Sequence, residues 1–246
     1  MSPSLDAAAV SGLIAAIYDC AVAPDRWPEM LGLLHRRLGF ANAILAFSLL
    51  PSGVMVRIET VGVPEYQARR LADFEAEEIA QWAEVMAALP MEEPAVLSRV
   101  DPGGAMLRGR FYREWARPQD LTDAICVTLA RDGGIVTSLI MGRQRDAGPI
   151  TDADMNALCL FLPHLRRTVA INRVFERQAA ALSAFRQVVD ALAAPIFLVD
   201  GKLILIHANE AGRAALASGD RAPGRGVGAP GLRKGPSLIR TPRRAA

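Results

Sequence analysis

The residues of this 246-residue chain best suited to nucleophilic or metal chemistry are Cys20, Cys126, Cys159, His35, His164 and His207. They are scattered, and no CxxC pair occurs. That excludes a disulfide scaffold and the common zinc frameworks, so neither a metal nor a cofactor is expected. Cys126 alternates within a predicted strand and Cys159 lies on the apolar stretch of a predicted helix. With no His or Lys beside them, both are expected to be inert, buried thiols. His164 follows Pro163 and His207 ends a strand, and neither has a carboxylate placed in sequence to form an acid–base pair. Glu75, Glu77 and Glu78 read as a solvated helix face. Neither a phosphate-binding loop nor a dinucleotide fingerprint is present. No catalytic residue is assigned, and the chain is expected not to be an enzyme.

Binding chemistry has better candidates. Trp82, Phe111, Tyr112 and Trp115 are the richest local supply of aromatic side chains, with Arg113 and Glu114 between them. Small-molecule pockets are concave and mostly apolar, which makes these four the candidate ligand-binding residues. Phe111 and Trp115, four apart, share a helix face, while Tyr112 points elsewhere. The same spacing serves ordinary core packing.

Charge narrows the partners. Residues 221–246 hold seven basic side chains and no acidic one; removing those seven from 28 leaves 21 basic against 26 acidic in the rest. An acidic body has no electrostatic footprint for nucleic acid. Residues 7–18 imitate a secretory h-region, but the charge before them is Asp6, of the wrong sign. Val10, Leu13, Ile14, Ile17 and Tyr18 instead follow the stripe of an amphipathic helix. No run approaches the ~20 apolar residues that span a bilayer. A cytoplasmic protein without membrane contact is expected.

The elements that must position these residues follow from periodicity and turn chemistry. A second helix is predicted from an Asp25 cap, with Trp27, Met30, Leu31, Leu34 and Leu38 as its stripe and Gly39 as its stop. Residues 41–50 and 54–61 read as paired strands, with Val54, Val56, Ile58 and Thr60 on one face. Helix is predicted over 64–89 in two pieces, and a short strand at 95–97. Asp132-Gly133-Gly134 marks a hairpin joining 121–130 to 135–141. Antiparallel hairpins with segregated helices define the α+β class, an antiparallel sheet covered by helices.

A long helix is predicted over 152–193, opened by a Thr151/Asp154 capping box and kinked or divided at Pro163. Leu158, Leu162 and Leu165 pack on the sheet. Val169, Phe175, Leu182 and Val189 carry a coiled-coil-like seam onward, interrupted by Asn172 and Glu176. These four are the candidate dimerisation residues, and a homodimer is expected. Two short strands around Asp200-Gly201 and a helix capped by Asn209 follow; beyond Arg221 the hydrophobic periodicity ends.

Three passages then resemble the sensory half of LuxR-type helix-turn-helix transcriptional regulators. IYDCAVAPDRWPEMLGLL resembles the family's first helix pair, FYREWARPQDLTDAICVTLARDGG its central helix and hairpin, and FLPHLRRTVAIN its signalling helix. PIFLVDGKLILIHANEAGRAALASGD resembles the opening of a PAS domain. The resemblance implies a GAF-like sensory domain over 1–151, a linker and dimerisation helix over 152–193, and a partial PAS-like segment over 194–220. Residues 221–246 are expected to form a disordered basic tail in place of the family's DNA-binding domain. A small-molecule effector is implied, and a truncated chain without sequence-specific DNA binding is expected. Two other readings stay open: a small α+β enzyme, and a dimerisation protein with no ligand.

Overall fold

The computed structural model describes residues 6–50, 52, 54–74 and 93–217. The chain forms two compact units, Met1–Val174 and Phe175–Ala246.

In the first unit, the Asp6 carboxylate accepts the Ala9 N–H at 2.7 Å and caps α1 (Ala7–Val22). Its apolar stripe turns Leu13 and Ile17 fully inward. Helix α2 (Trp27–Arg37) starts later than the Asp25 cap predicts, because Pro24 opens a separate 3-10 turn, Pro24–Arg26, that takes Asp25 into it. The predicted α2 stripe is buried throughout. Gly39, at φ +72°, ends the helix, and the Phe40 N–H donates back to the His35 carbonyl at 2.8 Å.

The sheet contains β1 (Ala43–Leu49), β2 (Met55–Val61), β3 (Ala95–Val96), β4 (Leu121–Asp132) and β5 (Ile135–Gln144). Its order is β2-β1-β5-β4-β3, and every neighbouring pair is antiparallel. The architecture is α+β, a sheet with helices, as the sequence pattern predicts. One register prediction fails. Met55 pairs with Ser48 while Arg57 pairs with Phe47, so Val56 is an extra residue on β2. The phase of the strand shifts there: Val54 and Val56 are exposed, and Met55 joins Ile58 on the inner side of the opposite layer.

Helices α3 (Glu65–Arg70) and α4 (Leu97–Val100) flank the sheet. The predicted helix over 64–89 is seen only as α3 and a 3-10 turn, Leu71–Asp73; the remainder, with Trp82 and Glu75, Glu77 and Glu78, lies outside the described residues. The long helix is divided as Pro163 requires: α5 (Asp152–Cys159) and α6 (Leu162–Asp190) meet at a turn. Thr151 and Asp154 do form a reciprocal capping box at the start of α5. Cys159, at the end of α5, is exposed, which corrects the expectation of a buried thiol.

The two faces of the sheet receive alternate residues of each strand. Leu45, Ile125, Val127, Leu139 and Met141 face α1, α2, α5 and α6 and form the larger core with Trp27, Phe161 and Leu165. Val169 belongs to this core at 1% exposure. The assignment of Val169 to a dimer seam is therefore corrected: its side chain already packs inside its own unit. Asn172 does the same through polar contacts. Its Oδ1 accepts the Trp27 indole N–H at 2.9 Å, and its Nδ2 donates to the Cys20 and Ala21 carbonyls. What looked like a flaw in a coiled-coil seam is a buried anchor.

In the second unit, β6 (Phe197–Val199) pairs antiparallel with β7 (Leu205–Ala208), and α7 (Glu210–Ala217) follows. Asn209, fully buried, accepts the Ile196 and Gly212 N–H groups, each at 2.8 Å. Its amide donates to the Val189, Leu192 and Ala194 carbonyls, satisfying the last turn of α6. The predicted cap of α7 is thus also the cap at the end of α6.

Candidate functional site

Ile44, Ala46, Val136, Ser138, Ile140 and Cys126 point to the face of the sheet away from α1, α2 and α6, where they floor a cavity of about 150 Å³. Phe111, Tyr112 and Trp115 cover it, with Leu71 beside them. Tyr112 and Trp115 belong to a π-helical turn, Tyr112–Ala116, and Phe111 immediately precedes it. The wider turn brings Tyr112 round to the cavity, which corrects the reading that it points elsewhere. Phe111 and Trp115 stack with centroids 5.0 Å apart and planes 15° from parallel, and Phe74 meets Phe111 edge-on at 5.3 Å.

This cover is held from outside. The Trp115 indole N–H donates to the Gln67 carbonyl at 2.8 Å, which removes it from the inventory of free donors. Arg70 donates to the Glu114 carbonyl and carboxylate at 3.1 and 3.2 Å, tying α3 to the π-helical turn. Trp82, the fourth aromatic candidate, lies outside the described residues.

Polar atoms around the cavity divide into occupied and free. Asp123 is the single charged side chain among the described lining residues. Its Oδ1 accepts the Ser98 and Ala124 N–H groups and its Oδ2 accepts the Ser98 hydroxyl at 2.7 Å, so it caps α4 rather than facing a ligand. Asn42 Oδ1 accepts the Gly142 N–H at 2.9 Å. Burial pushes the Cys126 thiol pKa up, keeping it protonated. Burial raises Cys20 to about 11 in the same way, against the opposing pull of Arg26. Ser48 and Ser138 carry hydroxyls with no side-chain hydrogen bond among the described residues. Sequence reasoning missed both, because a serine in a strand has no signature until the register is known.

The other candidate groups are not at this cavity. Tyr18 and the His164 ring share a hydrogen bond of 3.0 Å on the α1–α6 surface. His207 Nε2 lies 3.9 Å from Asp190, and Arg213 lies 3.6 Å from the same carboxylate, within the second unit. Phe175 and Leu182 are exposed and Val189 is half-buried. Among the described residues no group of three or more His, Cys, Asp or Glu side chains could hold a metal ion, and no helix is long and apolar enough to cross a membrane.

No protein-family model matches the chain, and no curated relative does. Solved structures do. The chain is similar to the N-acylhomoserine-lactone-dependent LuxR-family transcription factor CepR2 from Burkholderia cenocepacia, at 14% identity and a TM-score of 0.50, over 66% of this chain and 94% of that one. It is also similar to the VqsR ligand-binding domain from Pseudomonas aeruginosa, at 14% identity and a TM-score of 0.46, over 68% and 96%. A third is the GAF domain/HD domain protein from Geobacter sulfurreducens, at 18% identity and a TM-score of 0.41, over 68% and 97%. At these identities the likeness speaks for the fold alone, an α+β arrangement shared with CepR2.

Proposed function

We propose that the chain is the small-molecule-sensing module of a LuxR-type transcriptional regulator, and that its effector enters the cavity beneath Phe111, Tyr112 and Trp115. The observation that carries this reading is the unequal filling of the sheet. One face carries a core of more than twenty buried apolar side chains, whereas the other holds an apolar cavity of about 150 Å³ under an aromatic cover. The order of the three sequence passages and the fold shared with a LuxR-family factor support the regulatory context. The reading is of binding without catalysis, because the Asp123 carboxylate is used by Ser98 and the Cys126 thiol is kept protonated.

Output is assigned to the segment after Asn172. Phe175 and Leu182 present apolar side chains at 53% and 50% exposure, a surface suited to a second copy in a cytoplasmic homodimer. Residues 195–217 supply no recognition helix, so sequence-specific DNA binding is not expected of them.

Ligand-dependent melting of the intact chain tests the reading. A bound effector raises Tm by mass action, by about 2.7 kcal/mol of stability at 100 times its Kd. Ala46→Leu, which fills the cavity floor, should abolish that rise. A stabilising ligand that acts equally on Ala46→Leu would contradict the site.

A further inference from the structure

The placement of polar atoms inside the cavity says what kind of molecule it takes. Ser138 on β5 pairs with Ala46 on β1, and Ser48 pairs with Val136, so the two serines are diagonal neighbours on one face. Such neighbours lie about 7–8 Å apart at Cα, closer at their side chains, within reach of one polar group between them. Across β4, Thr128 pairs directly with Ser138 and shares its face. Thr128 is 2% exposed and its Oγ1 has no hydrogen-bond partner among the described residues. Three hydroxyls thus form a row across β1, β5 and β4; Ser48 and Ser138 line the cavity, and none of the three makes a side-chain hydrogen bond among the described residues.

Hydroxyls both donate and accept but carry no charge. The one charged lining residue, Asp123, has both oxygens occupied. A carboxylate entering this site would lose its hydration without meeting a counter-charge, a far larger cost than that of an uncharged polar group, and an ammonium would meet only Asp123, whose oxygens already accept three hydrogen bonds. Size is bounded as well: an apolar cavity of about 150 Å³ accommodates a molecule of about one benzene ring. The Phe111–Trp115 stack offers that ring a flat apolar wall.

We infer that the effector is an uncharged molecule of single-ring size, its carbonyl or hydroxyl held by Ser48 and Ser138 and its apolar body against Phe111 and Trp115. The inference rests on the sensing reading above and adds to it the chemical class of the ligand.

Calorimetric titration of the intact chain with four probes tests it: acetophenone, ethylbenzene, benzoate and 2-acetylnaphthalene. Acetophenone should bind about tenfold more tightly than ethylbenzene, the worth of one net hydrogen bond. Benzoate and the two-ring ketone should not bind at concentrations that saturate acetophenone. Ser138→Ala and Ser48→Ala should each weaken acetophenone several-fold and leave ethylbenzene unchanged, which also shows the cavity intact. Tighter binding of benzoate or of 2-acetylnaphthalene than of acetophenone, or serine variants that bind acetophenone as before, would overturn the inference and leave the sensing reading standing. A chain that binds none of the four would overturn both.

Discussion

Leu45 and Ile44 are neighbours on one strand, yet they face two different environments. Leu45, at 0% exposure, belongs to a core of more than twenty apolar residues drawn from the sheet and the helices over it. Ile44, at 7%, belongs to a smaller cluster with Trp115, Leu71 and Phe74 and borders a cavity. The two faces are made from the same strands and the same residue types. Among the described residues, what separates them is the cover: amphipathic helices on one side, a short helix and a π-helical turn on the other. Helices that present a long apolar stripe fill a sheet face; short, irregular segments leave space that a ligand can use.

The largest test of this contrast is truncation on each side. Leu45→Ala should cost about 3–5 kcal/mol, because a packed face cannot collapse into the void, whereas Ile44→Ala should cost about 2 kcal/mol beside an existing cavity. Chemical denaturation measures both; equal losses would remove the distinction between the faces.

Next is the polar lock at the edge of the packed face. Arg143 on β5 lies 2.9 Å from the Asp154 carboxylate, with both side chains 7% exposed, and donates to the Gly39 carbonyl. Burial alone would raise the Asp154 pKa, but hydrogen bonds from the Thr151 N–H and hydroxyl and the charge of Arg143 hold it below its ordinary value. A carboxyl with a depressed folded-state pKa contributes stability above its unfolded value and loses it as pH falls through the folded one. Asp154→Asn should therefore cost about 3 kcal/mol near neutral pH, the penalty of breaking a buried pair. The gap from the parent chain should narrow only below about pH 4. A gap that stays constant from pH 7 to the acid limit of folding would contradict the assignment.

A smaller effect has the opposite sign. Thr137, on the packed face, is 0% exposed and its hydroxyl has no hydrogen-bond partner among the described residues. Thr137→Val should stabilise the chain by about 1 kcal/mol, since an unsatisfied buried hydroxyl is replaced by a methyl group of similar shape. A loss of stability there would mean that the hydroxyl serves the fold after all.

Much of the packed face was legible in the sequence. The stripes of α1 and α2, the 121–130/135–141 hairpin and the Thr151/Asp154 box each rest on local chemistry, and each forms. The other face was harder to read. Phe111 and Trp115 could be named from spacing, but Tyr112 was misplaced because nothing in YREWA announces a π-helical turn. Val56 broke the alternation of β2 through a bulge that depends on its partner strand. Ser48 and Ser138 became neighbours only through the pairing of β1 with β5, which are separated by most of the domain. Long-range register is invisible to local periodicity, and the candidate site is built from it. Val169 and Asn172 show the same limit: the first residue of the expected seam is buried in the core of the first unit, and the polar break after it holds Trp27.

Methyl NMR of the intact chain under xenon, an apolar probe that enters dry cavities, tests the central claim most directly. The isoleucines report both faces at once: Ile44, Ile58 and Ile140 line the cavity, while Ile17 and Ile125 are sealed in the packed core. Saturable shifts at the first three, with Ile17 and Ile125 unmoved, are the predicted result. Shifts of equal size on both faces, or none at Ile44 and Ile140, would contradict the claim that this sheet keeps one face solid and the other open to a ligand.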